Sequence, residues 1–376
     1  MLAPTRLEVS GERLSATYLL IGDPADAPRR AEAICIEQTI EFPADLVPDD
    51  DIRGHVLGRV EGAEPVGDDA TRVRISYAVE TTGFELPQLL NVLFGNTSLQ
   101  PGVRLVDLSL PDSLLERFPG PRFGIPGLRE MFRASHRPLL ATATKPMGLS
   151  ADDFARMAGA LALGGIDMIK DDHGLADQPF APFVDRVQRC AEAVRAAAER
   201  TGHPTIYMPS INASHDRLDE RVRVAIDAGA GGLLVLPGLT GIDHMRYLAA
   251  STGLPIMAHP ALLGSFVSAG QGGVDHGVLF GTLMRLAGAD SSIFPTYGGR
   301  FSLPKEACRR IAAACVVPLG GLRPCFPTPS GGMTMDRVGE MIEFYGRDVI
   351  LLIGGDLHRG DDLTATVAAF RESVEV

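Results

Sequence analysis

Four consecutive residues, Lys170-Asp171-Asp172-His173, bring an amine, two carboxylates and an imidazole together within the string GGIDMIKDDHG. Asp172 and His173 are adjacent on what reads as irregular backbone just past a strand. Neighbouring side chains there can splay toward one cation with oxygen and nitrogen ligands. The competing reading is a turn in which an Asp caps the next helix. Lys145, in ATATKPMG, ends a strongly apolar run. Lysines and acids at such positions are each costly to desolvate alone, so they imply mutual pairing, a metal or a bound anion. Ser330-Gly331-Gly332 and Gly354-Gly355 are glycine-rich stretches that can turn backbone N–H groups toward a phosphate. Asn212, in SINASH, reads equally as a residue near the ligand or as a helix cap. His259 and the pair Tyr297 and Arg300 complete the polar groups that fall at strand ends.

Such groups act together only if a scaffold gathers them. After FPGPRFGIPG, short apolar runs alternate with amphipathic helical stretches, the rhythm of βα units around a parallel sheet. The strand candidates are RPLLATATK, GIDMIK, TIYMPSI, GLLVLPG, LPIMAHP, SSIFPTY, LRPCFPTPS and DVILLIGG, eight in all. Helices between them include ADDFARMAGALALG, FVDRVQRCAEAVRAAAER and MDRVGEMIEFYG. Eight such units predict an α/β fold with a C-terminal TIM (β/α)8 barrel over residues 119–376, whose strand ends and following loops face one mouth. The preceding stretch reads β-α-β-β-α-β, from RLSATYLLIG to VRLVDLSLP, and predicts an N-terminal ferredoxin-like α+β domain over residues 1–118. No GxGxxG follows the first strand of either domain, which argues against a dinucleotide site.

The 376 residues, 45% hydrophobic and 22% charged, suffice for a large core and exclude a disordered or fibrous chain. A formal net charge of -12 argues against nucleic acid as a partner, yet an acidic exterior can enclose a basic pocket for a small anion. Cys35, Cys190, Cys308, Cys315 and Cys325 are scattered without a CxxC pair. They predict buried thiols in a reducing compartment rather than a disulfide framework or a thiolate zinc site. The start, MLAPTRLEVSGERLSA, lacks the basic and apolar regions of a secretion signal, and no stretch reaches the ~18 apolar residues of a membrane span. The expectation is a cytoplasmic protein that acts on a small molecule, with no membrane.

GGIDMIKDDHG resembles the metal-site motif of ribulose bisphosphate carboxylase (RuBisCO) and its relatives, Gly-Gly-x-Asp-x-x-Lys-Asp-Asp-Glu. TKPMG resembles the same family's first-strand Thr-Ile-Lys-Pro-Lys, and the SGG at 330–332 and the GG at 354–355 fall in the family's order. The resemblance spans nearly the whole chain. It implies that Lys170 carries a carbamate formed with CO2 and, with Asp172 and His173, holds Mg2+. It implies that Lys145 is the acid/base lysine near the substrate's carbonyl, and that Ser330, Gly331, Gly332, Gly354 and Gly355 bind a phosphorylated small molecule. Asn96, in FGNTSL, and Glu37, in ICIEQT, match residues that reach into a partner subunit's active site, so a homodimer or higher homo-oligomer with shared sites is implied. On this reading Lys145, Lys170, Asn96 and His259 are catalytic, while Glu37, Asn212 and Arg300 join the glycine loops in holding substrate.

Departures from the family pattern narrow the activity. Met147 stands where carboxylases keep a second lysine, and a thioether cannot donate that proton. His173 replaces a ligating Glu, Pro260 an arginine that binds one substrate phosphate, Ile293 a phosphate-site histidine, and Arg300 the mobile-loop lysine. One phosphate site has lost its donors and the glycine-rich one remains, so a monophosphate is expected and ribulose bisphosphate carboxylation is not. The pattern is similar to the non-photosynthetic RuBisCO-like group and implies an enediolate enzyme, notably a transcarboxylase/hydrolase of 3-oxo-isoapionate 4-phosphate. The alternatives are an isomerase or tautomerase of a methylthioribulose phosphate, with Met147 and Ile293 supplying an apolar recess, and a non-catalytic sugar-phosphate binder. Asp171, turned away from its neighbours by strand alternation, is expected to tolerate replacement better than Asp172.

Overall fold

The computed structural model describes residues 5–48, 50–267, 272–301 and 303–375. Among them, strands run in the order β1 (Arg13–Ile21), β2 (Arg59–Pro65), β3 (Ala70–Ala78), β4 (Val103–Ser109), β5 (Leu139–Thr144), β6 (Met168–Asp171) and β7 (Ile206–Met208). They continue with β8 (Leu233–Val235), β9 (Ile256–Ala258), β10 (Gly273–Val274), β11 (Ser291–Pro295), β12 (Phe326–Ser330) and β13 (Ile350–Leu352). The chain divides into two units. One comprises Met1–Phe118, Leu263–Leu279 and Leu319–Gly321; the other comprises Pro119–Leu262, Phe280–Pro318 and Leu322–Val376. The sequence reading instead assigns all of 119–376 to the barrel, because the short runs that join the first unit carry no break in composition.

In the first unit, β1 alternates strictly, with Leu14, Ala16, Tyr18 and Leu20 buried, the pattern of a strand with one face on a core. Its sheet has the order β10-β4-β1-β3-β2, in which β4, β1, β3 and β2 pair antiparallel. With the helices Ala27–Glu37 and Leu86–Phe94 this is the ferredoxin-like β-α-β-β-α-β order.

The second unit is the barrel. Parallel pairing gives the runs β13-β5-β6-β7 and β12-β11-β9-β8. A bridge between Ser210 and Leu234, with Ile211 N donating to Leu234 O at 3.2 Å, joins β7 to β8. All eight strand segments read from the sequence are present, most of them trimmed to three to six residues. The interior is filled by Leu139, Ala141, Met168, Met208, Leu234, Met257, Ile293, Phe326 and Ile350, and by Ile125 and Leu128 of the helix Gly124–Met131. This is a packed core and not a pore.

Acids at the strand starts are structural. Asp167, just before β6, accepts two bonds from Arg137 at 2.7 Å and one from Leu140 N at 2.8 Å. Asp290, just before β11, accepts from the backbone of Phe123, Gly124 and Ile256. All five cysteines are free and buried. Among the described residues no helix is long and apolar enough to cross a membrane.

Candidate active site

Strand alternation decides which side chains reach the mouth. In β5, Leu139 and Ala141 point inward, so the next inward position past the strand is Lys145. In β6, Met168 points inward and Lys170 and Asp172 follow in phase. The register pairs Ala143 with Lys170 and Thr144 with Asp171, setting the two lysines on adjacent strands. Lys170 is 3% exposed, and its Nζ donates to the backbone O of Asp171 at 3.0 Å. Burial, reinforced by Lys145, pushes its amine down to about 8 against the pull of Asp172.

Asp172 is half-buried and His173 exposed. His173 Nδ1 lies 3.0 Å from Asp172 Oδ1, which also accepts from His173 N at 2.9 Å. Burial alone would raise the Asp172 carboxyl, but the His173 hydrogen bond and the charges of Lys145 and Lys170 hold it well below the usual carboxylate range. The imidazole of His173 stacks on His259, with centroids 4.6 Å apart and planes 11° from parallel. Burial first, then Lys170 and His173, push His259 far down, so it is neutral throughout the physiological range. Its Nδ1 accepts from Ala261 N at 3.1 Å.

These groups can hold a divalent cation on one condition. Among the described residues no three His, Cys, Asp or Glu side chains surround a common point. Asp172 and His173 supply two donors, and an ammonium at Lys170 would repel the ion, whereas a carbamate would complete the set. A buried amine whose proton is already loosened is the form that CO2 can modify. The donor set therefore fits Mg2+ with a carbamylated Lys170.

The glycine positions are constrained by backbone. Gly331 and Gly332 have φ of 83° and 118°, and Arg300 N donates to Gly331 O at 2.6 Å. A Cβ on Gly332 would stand 2.8 Å from Arg300 N, and one on Gly354 would stand 3.2 Å from Lys145 Nζ. Asp356 accepts from Met335 N at 2.9 Å and ties the loop after β13 to the loop after β12. Ser330 donates its hydroxyl to Phe294 O at 3.2 Å.

Several expectations change. Asn212 is not the helix cap, which is Ser214 at the start of His215–Asp227; Asn212 lies half-buried two residues before it. Ile293 belongs to the barrel core at 2% exposure, because the β11 alternation turns it inward below the mouth, so it forms no open recess with Met147. Met147 is exposed, and its methyl end lies against the backbone of Gly174, in the loop that carries Asp172 and His173. Arg300 is exposed, and its guanidinium stands 5.1 Å over the ring of Phe301. Asn96 Nδ2 donates to Glu37 Oε1 at 2.9 Å on the surface of the first unit, so the two residues form one pair.

Asp171 does point away from the mouth, but into a fully buried network with Arg186, Tyr207 and the N–H of Ser210. Its tolerance to replacement is corrected accordingly, since an unpaired buried arginine is costly. Two groups escaped the sequence reading. His358, four residues past Gly354, has a buried Nε2 without a hydrogen-bond partner and lies within electrostatic reach of Lys145, with its pKa lowered by burial and then by that lysine. Phe301 rests its ring edge 3.2 Å from where a Cβ on Gly331 would stand. The closeness of GGDLH to the glycine loop was the only available signal for His358, and a lone exposed phenylalanine gives none.

Comparison with known proteins identifies the family and the fold. Residues 124–376 match the family described as the ribulose bisphosphate carboxylase large chain, catalytic domain. A ribulose bisphosphate carboxylase-like protein 1 from Rhodopseudomonas palustris is 42% identical over 365 residues, 96% of this chain and 98% of that protein. A 5-methylthioribulose-1-phosphate isomerase from Rhodospirillum rubrum is 42% identical over 366 residues, 96% of each chain. The crystal structure of a Rubisco-like protein from R. palustris superposes with a TM-score of 0.87 at 40% identity, covering 96% of this chain and 97% of that one. An octameric Rubisco from Pyrococcus horikoshii superposes with a TM-score of 0.90 at 26% identity, covering 98% and 89%.

Proposed function

Because the chain belongs to the ribulose bisphosphate carboxylase large-chain family, we propose that it enolises a sugar monophosphate whose far end is apolar, in the manner of a methylthioribulose 1-phosphate isomerase. The observation that carries this reading is the division of the barrel mouth. Lys145, Lys170, Asp172 and the Gly354 loop line one arc, while His259, Pro260, Pro295 and Ser330 at the strand ends of the other carry no charge at neutral pH, its one cation in the loop past β11, Arg300, being exposed and set over the ring of Phe301. One phosphate is accommodated by the glycine loops, and on the other arc only the exposed Arg300 beyond β11 is left to meet a second.

When bound, a divalent cation supplies Lewis-acid stabilisation of the enediolate. Lys145 removes the proton from the carbon next to the substrate's carbonyl, leaving the electron pair in the enediolate, and returns a proton to the neighbouring carbon. The loops at Gly331–Gly332 and Gly354–Gly355 orient the phosphate through backbone N–H groups. Neutral His259 packs against His173 and holds its ring in place. The Asn96–Glu37 pair is assigned to the mouth of a partner subunit, which makes a dimer the smallest complete enzyme.

The 42% identity to a protein named for 5-methylthioribulose 1-phosphate favours the methylthio branch over 3-oxo-isoapionate 4-phosphate. The test is NMR in D2O with Mg2+ and bicarbonate, offering 5-methylthioribulose 1-phosphate, 3-oxo-isoapionate 4-phosphate and ribulose 1,5-bisphosphate in turn. Chelator-sensitive deuterium incorporation next to the carbonyl of the first is expected. No exchange with any of the three would sink the enolisation reading, and exchange or conversion confined to the second would move the substrate to the sugar-acid branch.

A further inference from the structure

The face of β6 turned away from the mouth carries more polar chemistry than a barrel wall requires. The Asp171 carboxylate, fully buried, accepts from Tyr207 Oη at 2.6 Å, Ser210 N at 3.1 Å, Arg186 Nη2 at 3.2 Å, Arg186 Nε at 3.4 Å and Thr144 Oγ1 at 3.4 Å. Arg186, equally buried in the helix Phe183–Thr201, directs its remaining donors to Ala181 O and Ala176 O, each at 2.8 Å. One guanidinium thus grips Asp171 and two carbonyls of the segment 172–182, which carries Asp172 and His173. On the other side of the same peptide, Asp171 O accepts the Lys170 amine at 3.0 Å.

We propose that Asp171, Arg186 and Tyr207 are positioning residues for the metal site: from behind the strand they fix the Asp171 peptide and the following loop, so that Lys170, Asp172 and His173 share one geometry. This rests on the carbamate and metal reading given above. A buried ion pair is a poor stability device, because its desolvation offsets much of its attraction and apolar residues of similar volume often replace it without loss. Its place between strand and helix therefore calls for another reason. Arg186 supplies one, since a planar guanidinium with fixed donor directions locks three acceptors of one loop at once. Outer partners of metal ligands typically alter metal affinity by ~10- to 100-fold when removed.

The test uses the full-length protein and two readouts that do not depend on turnover: the 13C signal of the lysine carbamate with labelled bicarbonate, and Mg2+ affinity by calorimetry. The D171N/R186M variant removes both charges and keeps the volume. It is expected to unfold within a few degrees of wild type, yet to bind Mg2+ at least ~10-fold more weakly, with a diminished carbamate signal. Wild-type affinity and signal in this variant would overturn the proposal. If the double variant does not fold, Tyr207→Phe, which deletes the 2.6 Å bond and leaves both charges in place, decides: a several-fold loss of affinity at unchanged unfolding temperature supports the role, and unchanged affinity ends it. A wild-type protein without any carbamate signal would sink the metal reading itself and this inference with it.

Discussion

The two runs of strands that make the barrel share an inner wall and differ at the mouth. Below it, both carry interior hydrophobes, Leu139, Met168 and Met208 in one, Leu234, Met257, Ile293 and Phe326 in the other. At the strand ends, one arc holds two lysines and a carboxylate, and the other holds a neutral histidine, prolines and a serine already bonded to a backbone carbonyl. They meet where His173 stacks on His259. The scaffold is fixed by what lies inside, and the chemistry by one or two residues per strand.

The charged arc gives the largest expected effect. Lys170→Met removes the amine proposed to carry the carbamate and should abolish activity, while raising stability at neutral pH. The sign follows from the amine's folded pKa, about 8 against an ordinary 10.5. The native state disfavours the charged form, so a penalty is fully present below about pH 8 and disappears as pH rises toward 10.5. In chelator and without bicarbonate, thermal unfolding at pH 7 should therefore favour Lys170→Met by up to roughly 3 kcal/mol, with the advantage shrinking above pH 8. An active variant, or one less stable than wild type at pH 7, would break the assignment of this arc.

At the proposed phosphate site, where the arcs meet, the effect is expected to be smaller. Gly332→Ala sets a Cβ 2.8 Å from Arg300 N at a φ of 118°, a backbone clash that no flexible side chain can relieve. A cost of about 1–3 kcal/mol is expected, with KM for the phosphorylated substrate rising about tenfold. Gly321→Ala, which meets nothing within 4 Å, is the control for a harmless added methyl. Equal KM values for the two variants would deny the 331–332 loop a part in binding.

Much of this was legible beforehand because barrels write themselves in repeated apolar runs: seven of the eight strands lie within the segments read from periodicity, and β6 runs one residue past its segment, to Asp171. The directions of Lys145, Lys170 and Asp172 were legible from their phase along β5 and β6, whereas His173, on the opposite parity, comes beside Asp172 only through the irregular backbone past β6. Asp171 was half legible. Alternation gave its direction, but its partners Arg186 and Tyr207 lie 15 and 36 residues away, and only packing reveals them. Replacing Asp171 alone by Asn leaves Arg186 buried beside a neutral group, at a cost of about 3–5 kcal/mol. Ile293 was misplaced because a strand pattern gives the face and not the depth. Phe301 was missed because exposed aromatics carry no period.

The apolar arc yields the smallest and most specific effect. Phe301 is 64% exposed, so Phe301→Lys should change stability by less than about 0.5 kcal/mol. It removes the ring beneath Arg300 and puts a cation beside Gly331. If the apolar end of the substrate lies on this arc, kcat/KM for 5-methylthioribulose 1-phosphate should fall while that for the analogue with a hydroxyl in place of the methylthio group holds or rises. One small apolar group in a pocket is worth about 1–3 kcal/mol, so the ratio of the two should shift about tenfold. The comparison needs only competing substrates in one tube, followed by NMR. A ratio unmoved by the charge would put the methylthio end elsewhere and leave the uncharged arc without a function in recognition.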